Sequence, residues 1–597
     1  MYMENSMQAL FDELTGLLTG DARFAGSNGA GLHIMEDLAR KADAGFLQLL
    51  LSGGLTRQHF FVNAGEVVVF DKMRFLQFLH SRPTGQNGHT ASGGRTGIAG
   101  AQEPVRLTWP YSGYVLEGTP QQENETLAAP EIARLFSPKV LTGFLRYSAA
   151  GECPPEQLSG KDNLIIRGNN LMVLHSLKKV YNGAVKLIYI DPPYNTGSST
   201  FPYNDNFAHA TWLTLIKNRL EAARDLLRDD GAIFVQIDYK EVAYLTVLMD
   251  EVFGRENMVQ MIAVKTASPA GFKTINPGPV DVTEYILFYT RNRQHFRFRK
   301  NYVPVAYDSN YNLVITNPHD EPQQWKLEPL RDVICRENGI PLGHSPQQTG
   351  KNAREHWGPY WKLIRDQLMA AYALDHPENL VSIRDPHKPS PKLKKILESS
   401  RQQRNKVCVY EKEESGKYGY VMNGGALSFY ANKIREIDGV KTPSELLTDF
   451  WKDISWDGIA KEGGVKLKNG KKPEKLIKRI IEMVVDSPED LVLDFYLGSG
   501  TTAAVAHKMG LRYIGIEQLD YGENDSRVRL QHVINGDTTG ISQAVQWKGG
   551  GSFVYCALAQ GNGPDGHPGY IAYSEISERK FEMTEAEIIL NRQFYGD

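Results

Sequence analysis

The chain has 597 residues, of which 41% are hydrophobic and 23% charged, a composition that excludes a disordered or fibrous protein and predicts several domains. Lys and Arg total 67 against 70 Asp and Glu, so the formal charge is -3 and any basic surface must be local. Four cysteines without a CxxC pair exclude a disulfide scaffold and give no zinc-site spacing. The first twenty residues do not have the pattern of a secretory signal, and the most apolar early stretch is far shorter than a bilayer span. We expect a cytoplasmic protein without membrane contact.

Residues 1–150 are predicted to form an N-terminal, mostly helical region, with amphipathic helices around one strand-like run at 60–70. Within this region, residues 83–104 are rich in Gly, Ser, Thr and Gln and carry almost no apolar side chains. Such a segment buries too little apolar surface to offset its ordering entropy. We therefore expect a mobile loop at 83–104.

A regular alternation of strands and helices follows in the segment 151–300. The apolar runs 185–190 and 232–238 have the length and the branched residues of buried parallel strands. Between them lies a helix with one apolar stripe, which is predicted to end at the Asp-Asp-Gly stop at 229–231. This spacing predicts βαβ units on a parallel sheet.

The alternation is lost at 301–445, where Pro, Asn, Gly and Lys interrupt every short pattern, and this segment is predicted to be an inserted α+β domain. It returns at 446–540 with an amphipathic helix, a strand, a Gly-rich turn, a second helix and a second strand. The sequence thus predicts an α/β fold with one doubly wound, mostly parallel sheet built from the two separated segments. Residues 541–597 are predicted to be a C-terminal segment.

The first strand of this pattern runs into Asp191, Pro192, Pro193 and Tyr194. The carboxyl end of a strand in an open α/β sheet is where ligands bind. Because two prolines fix the backbone and remove two donors, a carboxylate and a rigid carbonyl stand side by side as acceptors for an exocyclic amino group. The tyrosine ring offers a flat face on which a base can stack. The alternative is a proline-rich turn that only ends the strand.

A later strand runs into the Gly-rich turn 494–502, where Gly498 and Gly500 let the backbone approach a ligand and the next helix supplies N–H donors. Glu517 ends the following strand, where a carboxylate can accept hydrogen bonds from both ribose hydroxyls of a nucleoside. The turn does not complete GxGxxG, and GxxxxGK[ST] occurs nowhere in the chain. We therefore expect a nucleoside without a polyphosphate, and a P-loop ATPase is excluded.

DPPYNTG at 191–197 and DFYLGSGTT at 494–502 resemble the catalytic and cofactor motifs of S-adenosylmethionine-dependent amino methyltransferases, in the order typical of the β class. Further blocks are similar to the Mod subunits of type III restriction-modification systems: FFVNAGEVVVFDKMRFLQFL, WPYSGYVLEG, NLMVLHSLKKVYNGAVKLIYI, FPYNDNFAHATWL, LLTDFWKDI and WKGGGSFVY. The resemblance leaves 83–104 and much of 300–445 unmatched. It implies a Rossmann-like methyltransferase sheet, with 301–445 as the target-recognition domain.

The resemblance implies methyl transfer from S-adenosylmethionine to adenine N6 in double-stranded DNA, after the base is flipped out and without a metal. Asp191 and the Pro192 carbonyl would hold the amino group beside Pro193, and Tyr194 would stack on the base. The residues expected to bind the cofactor are Asn169, Asp191, Lys472, Pro473, Asp494, Phe495, Gly498, Ser499, Gly500, Thr501 and Glu517. Asn169 replaces an Asp found in many β-class enzymes, and capping the next helix is its alternative role.

Basic residues cluster in or beside the insertion, where a target-recognition domain would bind phosphate. A solvated charged face is the alternative interpretation. The residues expected to bind DNA are Arg291, Arg293, Arg297, Arg299 and Lys300 in one cluster and Lys392, Lys394 and Lys395 in another.

The family resemblance also implies a homodimer, held or closed by the segment after 541, and a separate ATP-dependent restriction (Res) subunit. Cytosine-N4 methylation uses the same geometry and remains open, although Asp at 191 favours adenine in this family. The chain could instead methylate RNA or protein, or serve mainly as a recognition scaffold for a nuclease-translocase partner. Cytosine-C5 chemistry is excluded because it needs a nucleophilic thiolate in a Pro-Cys pair, and Cys153 precedes its prolines.

Overall fold

The computed structural model describes most of the chain from residue 136 onwards and parts of the N-terminal region. The described residues are 10, 12–18, 35, 38–39, 44–64, 67–70, 75, 78–79, 136–196, 205–207, 209–268, 278–412, 416–467, 470–562, 568–578 and 583–596. The loop predicted at 83–104 lies outside them, as does Gly197 at the end of the first motif. Within these ranges, no helix is both long and apolar enough to cross a membrane.

The N-terminal region has its own hydrophobic core. Helices α1 (Ala44–Ser52) and α2 (Gly54–Phe60) lead into strands β1 (Phe61–Ala64) and β2 (Val67–Phe70). The run predicted as one strand is therefore an antiparallel hairpin with Phe61 opposite Phe70. The buried side chains that pack together here are Leu10, Leu14, Leu18, Ala39, Phe46, Leu50, Phe60, Phe75, Phe78 and Leu79.

The first half of the methyltransferase-like domain alternates strands and helices as predicted. Its elements are β3 (Leu141–Ser148), β4 (Gly151–Cys153), β5 (Leu164–Arg167), α3 (Asn170–Tyr181), β6 (Val185–Ile190), α4 (His209–Leu226), β7 (Leu227–Ile237), α5 (Val242–Phe253), β8 (Met258–Lys265) and β9 (Thr283–Thr290). Since β3 belongs to the same sheet, this half begins ten residues before the boundary expected at 151.

The helix predicted to stop at 229–231 instead ends at Leu226. Residue 227 already belongs to β7 and lies opposite Val185 of β6. Gly231 serves this strand pairing, because a Cβ there would lie 2.9 Å from the carbonyl oxygens of both Val185 and Arg228. The glycine therefore permits close strand approach at a register shift and does not cap a helix.

The insertion is an α+β domain, as predicted. Its elements are β10 (Tyr302–Pro304), β11 (Leu313–Ile315), β12 (Leu327–Pro329), α6 (Leu330–Glu337), α7 (Pro346–Trp357), α8 (Trp361–Asp375), β13 (Leu380–Arg384), α9 (Pro391–Gln402), β14 (Cys408–Glu411), β15 (Tyr418–Met422), β16 (Gly425–Phe429), β17 (Ile434–Ile437) and β18 (Val440–Leu446). Its larger sheet has the order β12-β11-β13-β16-β15-β14 and is antiparallel throughout. Strands β10, β18 and β17 form a second sheet.

The second half of the methyltransferase-like domain resumes the alternation. Its elements are β19 (Phe450–Trp451), α10 (Glu474–Val484), β20 (Leu491–Asp494), α11 (Thr501–Lys508), β21 (Arg512–Glu517) and α12 (Ser526–Ile534). The C-terminal segment adds β22 (Ser552–Leu558), β23 (Gln560–Asn562), β24 (Pro568–Tyr570) and α13 (Glu585–Tyr595).

Eleven of the described strands form one sheet with the order β19-β8-β9-β7-β6-β20-β21-β5-β22-β3-β4. The six neighbours from β7 to β22 are parallel, and β20 pairs with β6, so the two chain segments join inside the sheet. Helices α3, α4 and α5 pack with Ile188 on one face, whereas α10, α11 and α12 pack with Leu187 on the other. The doubly wound α/β fold is confirmed.

The C-terminal segment completes this sheet. Strand β22 lies between β5 and β3, parallel to the first and antiparallel to the second. Strand β3 has no described neighbour in the sheet except β22 and β4. The segment predicted to hold a dimer or close the domain thus contributes an internal strand.

Candidate active site

The first motif leaves β6 at the carboxyl edge of the parallel strands, and its backbone is held on both sides. Asp205 is only 2% exposed and accepts hydrogen bonds from the backbone N–H of Asn195 at 2.9 Å and of the next residue at 3.1 Å. Asn195 has a φ of 56°, a left-handed conformation that asparagine tolerates. The Trp212 indole donates to the Pro193 carbonyl at 2.8 Å. Asp205 was not found from the sequence, because its burial and its contacts with residues 195 and 196 appear only in the fold.

The Pro192 carbonyl remains available as an acceptor. Among the described residues, nothing donates a hydrogen bond to it, whereas the carbonyl of Pro193 is taken by Trp212. The carboxylate of Asp191 directly precedes it at the end of β6. Asp191 and Pro192 therefore lie next to each other at this edge, and their role as acceptors for an amino group stays a prediction.

Asp191 is also one of four side chains that contact each other at this edge. We call these four the acceptor cluster: Asp191, Tyr194, Glu284 and Lys472. The Lys472 ammonium lies 2.8 Å from Asp191 Oδ2 and 3.8 Å from Glu284 Oε2. The Tyr194 hydroxyl oxygen lies 2.7 Å from Asp191 Oδ1 and 2.8 Å from Glu284 Oε2. Lys472 Nζ also lies 5.0 Å from the centroid of the Tyr194 ring, in cation–π contact. Two carboxylates thus share one hydroxyl and one ammonium.

The charges of the cluster depend on one another. Burial raises the pKa of Asp191 and the nearby Glu284 carboxylate adds to this, while Lys472 and the Tyr194 hydroxyl oppose the rise. Burial disfavours the Lys472 ammonium, but the two carboxylates outweigh it and raise the pKa of Lys472. Burial and the same carboxylates hold the pKa of Tyr194 well above its ordinary value. Lys472 therefore stays cationic and Tyr194 keeps its proton.

Glu284 was not found from the sequence, and neither was its support, Gln236. The Gln236 amide donates to Glu284 Oε2 at 2.6 Å and accepts from the Tyr189 hydroxyl at 2.6 Å. Gln236 is fully buried and is the one polar side chain in the apolar run 232–237, which is a signal that could have identified it. Glu284 could be found only from the sheet topology, because antiparallel β9 starts at the edge where its parallel neighbours end.

The Gly-rich turn between β20 and α11 lies at the same edge. Asp494 is buried, and its carboxylate accepts hydrogen bonds from the Thr502 hydroxyl at 2.6 Å and the Tyr496 N–H at 2.9 Å. Burial raises the pKa of Asp494 to about 7 despite these donors. In this structure Asp494 therefore fixes the turn that was predicted to bind the cofactor.

Glu517 fixes the other side of this turn. Its carboxylate accepts hydrogen bonds from the backbone N–H groups of Gly498 at 2.7 Å, Gln518 at 2.8 Å and Leu519 at 2.9 Å. Burial raises the pKa of Glu517, and the three N–H donors oppose that rise. A carboxylate has about four acceptor positions, so room for a further donor remains.

Gly500 permits close packing of two helices. Its φ is 81°, and a Cβ there would lie 2.8 Å from the Ser526 Cβ at the start of α12. At Gly498, by contrast, the only described neighbour of an added Cβ is Leu467 Cδ2 at 3.8 Å. The described residues therefore crowd the turn less at Gly498 than at Gly500.

A fully buried ionic network supports α11 from behind, and we call Glu474, Lys508 and Arg529 the buried triad. Glu474 accepts hydrogen bonds from Lys508 at 2.8 Å and from Arg529 at 2.9 Å, and all three side chains are 0% exposed. Arg529 also donates to the Thr501 hydroxyl at 2.7 Å, so Thr501 is tied to the network. Lys508 further donates to Asp537 at 2.6 Å.

The remaining predicted cofactor residues lie around this turn. Asn169 caps α3 by accepting a hydrogen bond from the Leu171 N–H at 3.0 Å, which is its alternative role. Its neighbour Asn170 donates to the Phe495 carbonyl at 2.8 Å and so joins the two chain segments. The Phe495 ring, Ser499 and Pro473 are buried. Whether they contact a cofactor stays a prediction.

The structure does not bring the first basic cluster to the acceptor cluster. Thr290 at the end of β9 lies opposite Ala232, and the Arg291 N–H donates to the Gly231 carbonyl, so residues 291–300 start at the opposite edge of the sheet from Asp191. Arg299 there bonds to the Val485 carbonyl. The members of the second cluster are exposed on α9 in the insertion: Lys392, Lys394 and Lys395.

Comparisons with known proteins point to one family. A family model described as DNA methylase matches residues 185–522. The chain is 34% identical to the "Probable type III restriction-modification enzyme HindVI Mod subunit" of Haemophilus influenzae, across 89% of this chain and 82% of the relative. It is 28% identical to the type III EcoP15I Mod subunit of Escherichia coli, across 64% and 62% of the two chains.

Among solved structures, the PvuII DNA methyltransferase (cytosine-N4-specific) aligns with 65% of this chain and 97% of its own, at 13% identity and a TM-score of 0.27. That score is too low to support any conclusion. The family model and the Haemophilus influenzae relative each extend over more than half of the chain and include both motifs. The chain therefore belongs to the DNA methylase family and, within it, to the Mod subunits of type III restriction-modification systems.

Proposed function

We propose that this DNA methyltransferase acts on the N6 amino group of adenine in double-stranded DNA. The observation that carries the proposal is the Asp191 carboxylate beside the Tyr194 ring and next to the Pro192 carbonyl, to which no described residue donates a hydrogen bond. The lone pair of an adenine amino group is delocalised into the ring, so the nitrogen is a poor nucleophile. Two acceptors that accept hydrogen bonds from its two N–H groups draw the nitrogen toward tetrahedral geometry and make the lone pair available.

The cofactor that fits this site is S-adenosylmethionine. When bound, it supplies a methyl group that is already activated on a cationic sulfur, which leaves positioning and electrostatics to the protein. The less crowded side of the turn at Gly498 would admit the nucleoside, and the remaining acceptor capacity of Glu517 would bind a ribose hydroxyl.

The target amino group lies inside the duplex, so the base must be flipped out to reach Asp191. Flipping costs a few kcal/mol, and stacking on the Tyr194 ring offsets part of this. When the bond between the nitrogen and the methyl carbon forms, the bond between that carbon and the sulfur breaks, and the sulfur leaves as a neutral thioether. The nitrogen becomes cationic and then loses a proton. Asp191, which holds that hydrogen, is placed to accept it.

The proposed assembly is a homodimer that recognises an asymmetric site and methylates one strand without ATP. A separate ATP-dependent Res subunit would accompany it in restriction, since no P-loop motif occurs in this chain. Light scattering of the purified chain tests the dimer. A monomer, or methylation of both strands of a palindrome, contradicts this assembly.

The base is identified by methyl transfer from labelled S-adenosylmethionine to duplex DNA, followed by digestion to nucleosides and chromatography. We expect the label in N6-methyldeoxyadenosine. Label in N4-methyldeoxycytidine would establish cytosine as the target. Label only in an RNA or protein control would show that the substrate is RNA or protein and not DNA. Binding of DNA without transfer to any substrate would support a recognition scaffold.

A further inference from the structure

Lys472 occupies the two places that a target base requires. Its ammonium lies 2.8 Å from Asp191 Oδ2, where the target amino group would donate a hydrogen bond. It also lies 5.0 Å from the centroid of the Tyr194 ring, on whose face the base would stack. The Lys472 side chain is only 8% exposed, so its ammonium is positioned by these protein groups and not by water. A target base can enter only if this ammonium moves.

A second counter-ion lies within reach of Lys472. Glu284 Oε2 is 3.8 Å from the ammonium, about one ångström beyond direct contact. Glu284 is held in place by the Gln236 amide at 2.6 Å and the Tyr194 hydroxyl at 2.8 Å. It therefore offers a fixed carboxylate toward which the flexible lysine can swing.

We propose that Lys472 passes from Asp191 to Glu284 when the target amino group arrives, which makes Glu284 a positioning residue for methyl transfer. The inference rests on the proposed function and adds an exchange of partners to it. Before the exchange Lys472 neutralises Asp191, and after it the amino group takes Asp191 while Lys472 pairs with Glu284. No buried ion is left without a partner in either state. Without Glu284, the displaced ammonium would be buried and unpaired, which is strongly unfavourable.

The test is single-turnover methyl transfer by Glu284→Gln, which keeps the shape of the side chain and removes its charge. We expect the rate to fall on the order of 10- to 100-fold because the ammonium stays on Asp191. Cofactor and DNA affinity should stay within about threefold of wild type, so the change appears in kcat and not in KM. A wild-type rate would overturn the proposal.

Two further variants separate an exchange of partners from a merely structural role. Glu284→Asp keeps the charge and should recover most of the rate lost in Glu284→Gln. The double variant Glu284→Gln with Lys472→Met removes the ammonium that blocks Asp191. Because Lys472 is itself an expected cofactor residue, the variants are compared at saturating S-adenosylmethionine, where the double variant should be faster than Glu284→Gln alone. A double variant that is no faster, or a Glu284→Asp as slow as Glu284→Gln, rejects the exchange.

The wild-type chain is the reference for both the proposed function and the exchange of Lys472. If it transfers no methyl group to DNA, the proposed function fails. If it methylates DNA but the double variant gains nothing, only the exchange of Lys472 fails. Thermal melting of each variant with the cofactor present verifies that the folded protein is being compared.

Discussion

At the scale of single residues, Asp191 has two partners in the structure and neither depends on a cofactor. Its carboxylate contacts Lys472 and Tyr194. We predict that Asp191→Ala abolishes methyl transfer, because the amino group loses an acceptor, while calorimetric titration shows nearly unchanged cofactor affinity. Transfer above a few per cent of wild type would contradict the assignment of Asp191 as the acceptor.

Glu474 is the one acid of the buried triad, and its two basic partners have no exposure to water. Glu474→Ala should lower the free energy of unfolding by about 3–5 kcal/mol, since it leaves the buried Arg529 guanidinium without its carboxylate partner and Lys508 with Asp537 alone. Urea unfolding measures the change. The matched control is Glu482→Ala on the same helix, where the side chain is 40% exposed and pairs with Lys478. That control should cost less than about 1 kcal/mol, and equal losses would refute the special role of the triad.

At the scale of elements, Gly500 connects the cofactor turn to α12. An alanine there would meet the Ser526 Cβ and would have to adopt a φ of 81°. We predict that Gly500→Ala weakens cofactor binding by displacing the turn, and that Gly500→Ala with Ser526→Gly recovers part of the loss. Isothermal titration compares the two. No recovery would mean that the substituent blocks the ligand directly, as the sequence alone suggested.

The sequence predicted features that neighbouring residues specify, and it missed features that depend on strands distant in the chain. The strand at 185–190 was predicted to the residue because a local run of apolar, branched side chains specifies it. The role of Gly231 was missed because a glycine after two aspartates has the same sequence pattern at a helix end and at a register shift between strands. Glu284 was missed because its place depends on the direction of β9, a property of the whole sheet.

At the scale of the whole molecule, the two edges of the central sheet should contribute unequally to DNA binding. Lys240 is exposed at the carboxyl edge, where its ammonium donates to the Thr196 carbonyl at 2.9 Å. Arg297 is exposed beyond the end of β9, whose eight residues span roughly 24 Å. If DNA contacts the carboxyl edge, Lys240→Ala should reduce the slope of log affinity against log salt by about one unit, and Arg297→Ala should not.

Binding measured by fluorescence anisotropy over a series of salt concentrations tests this prediction. A flat salt dependence for the wild type would count against DNA as the partner. The reverse order of the two variants would support the sequence-based prediction that the 291–300 cluster contacts phosphate.

The position of β22 has a consequence for folding during synthesis. Among the described strands, β3 joins the central sheet only through β22, and the Asn163 amide donates to the Ser552 carbonyl across 389 positions of the chain. Until those late residues leave the ribosome, β5 has one unpaired edge and the β3–β4 hairpin has no sheet to join. Such an edge is a template for wrong pairing, and closing so long a loop is slow. Nascent Mod chains should therefore be most exposed to aggregation and proteolysis just before their C-terminal strand emerges.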